Sequence, residues 1–493
     1  MLIVQEAEQV TSRNPTTPAS ATWRGLFCKG SASKTIVLAA GVALHAVNVY
    51  IVTTILPSVV KDIGGLPYYA WNTTLFVVAA IIGSAIAAEL ELRSGPKASY
   101  WLALGAFSVG SAICALAPLM AWLLIGRFIQ GLGGGLLFAL SYSLIRTLFP
   151  PSLWTRAMAL VSGMWGGATL CGPAIGGVLA QVGSWRHAFW VLLPACALLA
   201  ILAGNCLPKG AAEVRRKQGF PLVQLMTLVT SVGLISVAGV IEQTSWKIPI
   251  LVCGMLLIVP LPKMDKRPAQ RLLPEGAYTM NRALGQIYMC IALLMIALSA
   301  EIFVPYFLQS IQGHSALLSG YLTASMAAGW TIASLISSSA NEIWAKRAVR
   351  TGPLIVTAAS ISLAVLLPKE SAAFGYDFWI TCLALLATGF GVGMGWPHLL
   401  ARILDEAPAG QENLAAASIT TVQLYATALG AAIAGLIANA AGLADPGGKE
   451  GATLAAFWLF LLLSLPALVA GWIANKLSRR PIHIEAAMKE HGA

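Results

Sequence analysis

Two ionisable residues stand inside apolar stretches of the sequence. Glu301 interrupts the run 284–309, and Arg127 the run 121–148. A carboxyl held away from water can gain or lose its charge as the medium around it changes. Glu301 is therefore the leading candidate for a proton carrier or for a counter-charge to a substrate; the alternative is a structural carboxyl, permanently protonated or paired with an arginine. Arg127 lies about 9 Å along its run at 1.5 Å per residue. On a helix it shares a face with Gln130, Gly131, Gly134, Phe138 and Ser141, a stripe that passes from polar to small and suits a lumen. The alternative for Arg127 is snorkelling to an interface. Both charges fall in the same half of the membrane, which leaves a pairing of Arg127 with Glu301 open.

Other polar groups sit at similar depth. His45 and Asn48 are three residues apart and share a helix face; the histidine can titrate or act as a neutral hydrogen-bonding group. Gln309 follows Glu301 in sequence, and Gln312, about three turns further on, returns nearly to the same helix face. Tyr50, Tyr142, Trp165, Tyr306, Trp330, Trp396, Tyr425 and Gln423 offer aromatic and amide surface for flat organic molecules, with helix packing or interface anchoring as the other reading. Trp165 and Trp330 lie furthest inside their runs.

The elements that position these residues follow from composition. The chain has 493 residues, 57% of them hydrophobic and 10% charged. Soluble domains carry about 25% charged residues, so most of this surface has to face lipid. Runs long enough to cross a hydrocarbon core of about 30 Å occupy 35–57, 70–92, 98–118, 121–148, 157–180, 185–206, 220–241, 246–262, 284–309, 315–340, 353–368, 374–400, 413–441 and 452–476. If the N-terminus is cytoplasmic, 25 lysines and arginines fall on the inner side and five on the outer, with Arg127 inside a span. An odd error in the number of spans would destroy that split. The same rule keeps the weak run 246–262, because the basic clusters at 209–217 and 263–282 need an even number of crossings between them.

The net charge of +11 does not form a stripe, which argues against nucleic acid. The eight cysteines lie mostly in apolar runs without CxxC spacing and read as buried hydrophobes, so neither a metal nor a disulfide framework is expected. No GxxxxGK[ST], HExxH or GxSxG segment occurs. Direct use of ATP and hydrolytic chemistry therefore have no support, no cofactor is expected, and the chain is not read as an enzyme.

The sequence also repeats. Arg93-Ser94-Gly95-Pro96 after the second run matches Arg350-Thr351-Gly352-Pro353 after the tenth. The glycine-dense stretch from Gly131 to Gly135 matches Gly389, Gly391, Gly393 and Gly395. Gly172 through Gly177 match Gly430 through Gly435. Two six-helix halves with a pair inserted between them would produce this pattern, and two halves around a cavity can rock. Close glycines let helices approach, and the pair Gly172-Pro173 bends one; tight packing alone is the plainer explanation for any single glycine.

At the fourth and fifth runs the chain resembles a known family. Gly126-Arg127-Phe128-Ile129-Gln130-Gly131-Leu132-Gly133-Gly134-Gly135 is similar to the fourth-helix motif of the major facilitator superfamily. The segment from Gly167 to Gly177, which includes Gly172, Pro173, Gly176 and Gly177, resembles its fifth-helix antiporter motif. Leu56-Pro57, Trp185-Arg186-His187-Ala188-Phe189 and Leu273-Pro274 fit as well, and together they resemble the 14-span drug:proton antiporter branch. The family's loop between spans two and three has an aspartate where Leu92 stands here, beside Glu91. Its first-helix aspartate and asparagine correspond to Asn48 and Thr53.

The resemblance implies an all-α membrane protein with the major facilitator fold and cytoplasmic termini. The expected parts are a tail 1–34, a six-helix bundle 35–206, a linker 207–283 holding 220–241 and 246–262, a second bundle 284–477 and a tail 478–493. It implies proton-coupled export of small amphipathic compounds, drugs or metabolites, from a multi-pass cell membrane location, and a role for Arg127 in proton coupling or site electrostatics. The expected partners are substrate, protons and lipid, and the protein is read as a monomer. The missing acid at Asn48 leans towards a transporter of one dedicated metabolite, such as a siderophore. A receptor without transport activity or a channel is the rival of another class.

Overall fold

A span in lipid has to satisfy its backbone internally, so apolar runs of this length become helices. The structure, a computed structural model, describes residues 23–28, 30–210, 221–266, 270–370 and 375–478, and these contain no β-strand. The expected tail residues 1–22 and 479–493 and the basic residues Lys29, Arg215, Arg216, Lys217 and Arg267 lie outside the described residues.

The first five long helices are α1 (Ala32–Ile63), α2 (Trp71–Leu116), α3 (Met120–Leu148), α4 (Pro151–Val182) and α5 (Leu192–Cys206). Next come α6 (Leu222–Val240) and α7 (Thr244–Leu256). Then α8 (Ala283–Leu298) is joined by a 3₁₀ stretch, Ser299–Phe303, to α9 (Val304–Ser310). The last are α10 (Ala316–Ser338), α11 (Glu342–Leu366), α12 (Tyr376–Asp405), α13 (Glu412–Ala440) and α14 (Gly448–Ser478). Among the described residues, 12 helices are long and apolar enough to cross a membrane.

Three expected boundaries differ. Pro57 does not end the first span: α1 runs on to Ile63, because a helix can absorb one lost hydrogen bond where its neighbours pack well. The run expected from 353 begins at Glu342, where the Asn341 side chain accepts from Trp344 N at 3.0 Å and caps α11. The run 284–309 is not one continuous helix. It changes to 3₁₀ at Ser299, just before Pro305, which has no N–H for the ladder.

Helix α2 has 46 residues, about 70 Å at the standard rise, more than twice the hydrocarbon thickness. It is divided at Gly95, whose φ of 79° and ψ of 166° are open only to glycine at little cost. Gly352, its partner in the sequence repeat, stays helical inside α11. The two segments share composition but not conformation.

The other repeat is structural. On α3, a Cβ at Gly131 or Gly135 would strike the carbonyls of Phe76 and Ala80 on α2. One at Gly133 would strike Phe107, beyond the Gly95 break. On α12, Gly389 and Gly393 press in the same way on the carbonyls of Met326 and Trp330 of α10, and Gly391 on that of Gly352 in α11. Each glycine triad thus seats one helix between the two that precede it.

Polar contacts tie the ends. Arg186 donates to Asp62 at 2.6 Å and to the Ala117 carbonyl at 3.0 Å, and Trp185 Nε1 donates to Asp62 at 3.0 Å. Asp265, buried after α7, accepts from Leu272 N at 2.6 Å and Leu273 N at 2.9 Å. Both Gly131→Val and Gly389→Val should lower stability by about 1–3 kcal/mol, the usual cost of overpacking. Gly167→Ala should not, because a Cβ there meets nothing within 4 Å. Thermal unfolding in detergent checks this; equal midpoints for all three would refute the role of the triads.

Candidate functional site

The polar residues buried between the helices fall into two groups joined by α1. The first surrounds Arg127, which is 2% exposed. Its Nη1 donates to Gln130 Oε1 at 2.5 Å and its Nε to the Asn72 carbonyl at 3.3 Å. Gln130 Nε2 passes the chain on to Ser111 at 2.8 Å. The guanidinium lies 4.1 Å from the Phe76 ring centroid, and the other neighbour of Phe76 is His45, with ring centroids 5.3 Å apart. His45 also meets Phe138 at 5.7 Å and Trp165 at 5.9 Å.

The expected lumen stripe on α3 is therefore corrected. Arg127, Gln130, Gly131 and Ser141 are enclosed by neighbouring helices, because the glycines that free a face of α3 draw α2 onto it. Gly134 makes room for His45 Nδ1, and Phe138 packs on Trp165. Tyr142 shares a hydrogen bond of 3.0 Å with Ser162 of α4.

The second group surrounds Glu301, in the 3₁₀ stretch between α8 and α9. Neither Glu301 nor Arg127 forms an ion pair among the described residues, so the pairing left open by the sequence is absent here. Glu301 has no hydrogen-bond partner there either. Tyr50 lies within electrostatic reach of Glu301, and His45 of Arg127. Asn48 stands between them on α1, fully buried, with neither amide atom partnered; His45 Nδ1 is unpartnered too. Along α1, about 7.5 Å separates His45 from Tyr50.

The remaining residues divide. Gln309 keeps a buried, unpartnered Nε2. Gln312 does not join the group: its Nε2 donates to the Leu366 carbonyl at 3.4 Å, at the far end of α11, because α9 stops at Ser310. Trp330 packs edge-on against Trp396, ring centroids 4.7 Å apart, between α10 and α12. Arg93 bonds Glu89 at 2.6 Å, and Arg350 is exposed on α11.

Near Glu301 the molecule is sealed. Phe303 stacks on Tyr69 at 4.9 Å and Tyr306 meets the same ring at 5.4 Å. Gly172 and Gly176 fit against Tyr50 and Ile51 of α1, while Gly177 fits against Leu317 of α10. Gly320 fits against Thr54 and Pro173, and Tyr321 Oη donates to the Leu170 carbonyl at 3.2 Å. Asn439 Nδ2 donates to the carbonyls of Pro67 at 2.8 Å and Gly239 at 3.0 Å. At the other end the helices part: Leu335 is 69% exposed, and Gly163, Gly166 and Gly167 have no neighbour within Cβ reach. Sequence reasoning missed Tyr69, Phe303 and Asn439, whose residue types are common in any span.

A helical membrane fold sealed at one end and parted at the other is the form of a carrier. The family model of the Major Facilitator Superfamily matches residues 38–367. The chain belongs to the major facilitator superfamily. A facilitator of Mycobacterium tuberculosis H37Rv, named "Probable multidrug-efflux transporter", is 36% identical over 94% of this chain and 99% of its own length. Multidrug resistance protein 3 of Bacillus subtilis is 24% identical over 83% of this chain and 80% of its own. The tetracenomycin C resistance and export protein of Streptomyces glaucescens is 25% identical over 82% and 75%. Among solved structures, an auto-inhibited POT family peptide transporter shares the fold with a TM-score of 0.66 and 16% identity, over 91% of this chain and 97% of that one. A bacterial homologue of the human lysosomal transporter Spinster, inward-facing and unoccupied, has a TM-score of 0.59 and 14% identity, over 91% and 97%.

This facilitator is thus a multi-pass transporter of small molecules in the cell membrane and not an enzyme. Gly177→Leu should force α10 from α4 at the sealed end. In a cysteine-free background, Thr54→Cys should then react with a maleimide about tenfold faster, as a shift of ~1.4 kcal/mol in the sealed population would give. An unchanged rate would show that Gly177 does not control the seal.

Proposed function

We propose that this transporter exports amphipathic organic compounds in exchange for protons, by alternating access. The observation that carries the reading is Glu301: a carboxyl without a partner among the described residues, in a break of the helical ladder, two residues from the Phe303 ring that closes one end. In such a place, charging and discharging the carboxyl changes the balance of the adjoining contacts. The relatives named for multidrug efflux, multidrug resistance and tetracenomycin C export support the direction and the breadth of substrate. Arg127 is a buried cation met by neutral partners only, and in this reading it sets the potential felt through His45.

The proposed topology has 14 spans. Helix α2 counts as two because Gly95 divides it, and α10, with 23 residues and no charged side chain, is long enough to cross. Both termini are then cytoplasmic, which makes the sealed end the outer one and the state inward-open. The two halves, 35–206 and 284–477, correspond through the glycine triads, and the pair within 220–262 is inserted between them. In this reading the chain is a member of the 14-span antiporter branch and works as a monomer. A proton moving down the gradient contributes about 2.3 kcal/mol per 100 mV, enough to drive a neutral solute uphill. The neutral Asn48, where related transporters have an acid, favours a second reading in which the exporter serves one dedicated metabolite.

Glu301→Gln should abolish export driven by an imposed pH gradient in proteoliposomes and leave expression and thermal stability intact, while Glu301→Asp keeps part of the coupling. Export by Glu301→Gln that still follows the gradient would remove Glu301 from the mechanism.

A further inference from the structure

Residues 311–315, between α9 and α10, turn tightly at the sealed end, with Gly313 at a φ of 69°. His314 follows that glycine. Its N–H donates to the Leu308 carbonyl at 3.0 Å, and its ring stands edge-on to Phe378 in the first turn of α12, centroids 5.5 Å apart. The residue is buried, and its Nε2 has no hydrogen-bond partner among the described residues. Two residues earlier, Gln312 holds the Leu366 carbonyl with its Nε2 and leaves its Oε1 buried and idle. Buried polar atoms without partners are uncommon, and two in one short loop call for an explanation.

The residues that follow His314 make the closure itself. Ser315 caps α10 by accepting from Leu318 N at 3.2 Å. Leu317 then fits against Gly177 of α4, Gly320 fits against Thr54 of α1, and Tyr321 reaches the Leu170 carbonyl. Less than one helical turn separates His314 from the first of these contacts, so a shift of its backbone passes to them directly.

A neutral imidazole suits this place better than an imidazolium, which carries a charge and an N–H on both nitrogens. Of the elements that touch the loop, α9 and the start of α10 bring only tyrosines, Tyr306 and Tyr321, and Glu301 precedes α9. Lys369 and Glu370 follow α11, the latter paired with Lys449, and α12 begins with Tyr376 and Asp377. Among the described residues none of these ion-pairs with His314 or bonds its Nε2. Burial accordingly holds the imidazole below the ordinary histidine range.

We propose that His314 is a second proton site of this carrier, facing the outer side, which keeps the sealed end closed while neutral and releases it when protonated. The proton comes from the outer water and binds the imidazole. The ring then leaves Phe378 for solvent or turns its new N–H to Gln312 Oε1, and either movement draws the start of α10 from α4. The sign follows from burial: closure is favoured above the pH range in which His314 titrates and weakens as the outer pH falls through it. The proposal rests on the reading of a proton-driven exporter whose sealed end is the outer one, and adds a sensor distinct from Glu301.

Two measurements test it. Deuterium exchange at the imidazole C2, read by mass spectrometry, titrates His314 in the unaltered protein. Its midpoint should lie below that of N-acetylhistidine in the same buffer, and Phe378→Leu, which lets water to the ring, should raise it. A midpoint at or above the reference, or one that Phe378→Leu leaves in place, would overturn the proposal. The second measurement uses right-side-out vesicles with Thr54→Cys in a cysteine-free background, an impermeant maleimide outside and a fixed inner pH. The labelling rate is divided by that of the same protein carrying His314→Gln, which cancels the pH dependence of the thiol. Between about pH 7.5 and about pH 5 outside, the ratio should rise at least about threefold, and the rise should persist with Glu301→Gln. A flat ratio, or a rise that vanishes with Glu301→Gln, would remove His314 as the sensor. Loss of proton-driven export with both results intact sinks the export reading and leaves the outer sensor standing.

Discussion

A carboxyl taken out of water without a partner has to be compensated by solvent, by a proton or by a ligand. Among the described residues no arginine or lysine pairs with Glu301 and no hydroxyl hydrogen-bonds it. Which form of compensation applies is then decided by the arrangement of the surrounding helices, and that arrangement is held by contacts only a few residues away. The 3₁₀ stretch carries Glu301 and Phe303 together, so a change at the carboxyl and a change at the Tyr69 seal share one short piece of backbone. On the other side of α1, Arg127 is equally without an ionic partner among the described residues but donates to two neutral groups, the Asn72 carbonyl and Gln130. One charge is anchored and the other is free to respond, and in the proposed cycle this difference separates a positioning group from the group that carries the proton.

Such a response needs stiff blocks and a weak seam. The glycine triads provide the first: α3 and α12 sit against backbone carbonyls of their neighbours, where no side chain is left to rearrange. The seam is made of different material. Ring contacts at Tyr69, the fit of Gly177 on Leu317 and the two bonds from Asn439 are few and mostly apolar, and can be broken without exposing many backbone groups. Asn439 joins the Leu66–Tyr68 turn, the end of α6 and α13. The inserted pair is therefore part of the seal.

Much of this was legible in the sequence, for stated physical reasons. Lipid leaves only helices as an option, so apolar run length located the spans; twelve long apolar helices are found, and α2 and α10 carry the proposed count to fourteen. The glycine-dense segments announced close packing, and the structure gives them neighbours. Side-chain direction was less legible. The face holding Arg127, Gln130 and Ser141 was assigned to a lumen from its polarity, but the same small residues brought α2 against it. Gln312 was aligned with Glu301 on an unbroken helix, and the change to 3₁₀ at Ser299 together with the end of α9 at Ser310 moved it away. Gly95 and Gly352 looked equivalent and are not, because only the first ends a span. The aromatic seal was hidden, since tyrosine and phenylalanine are common in every span and only the tertiary contact distinguishes Tyr69 and Phe303.

The central claim is that the two ends of the molecule open in opposition, under control of the half-buried carboxyl of Glu301. The most direct measurement is of paired spin-label distances, one pair at Ser152 and Ser338 across the parted end and one at Val182 and Ser310 across the sealed end, in alkaline and in acidic buffer. The account predicts that the two distances change with opposite sign as the buffer changes. Distances that lengthen together, or that stay fixed in both buffers, would contradict it.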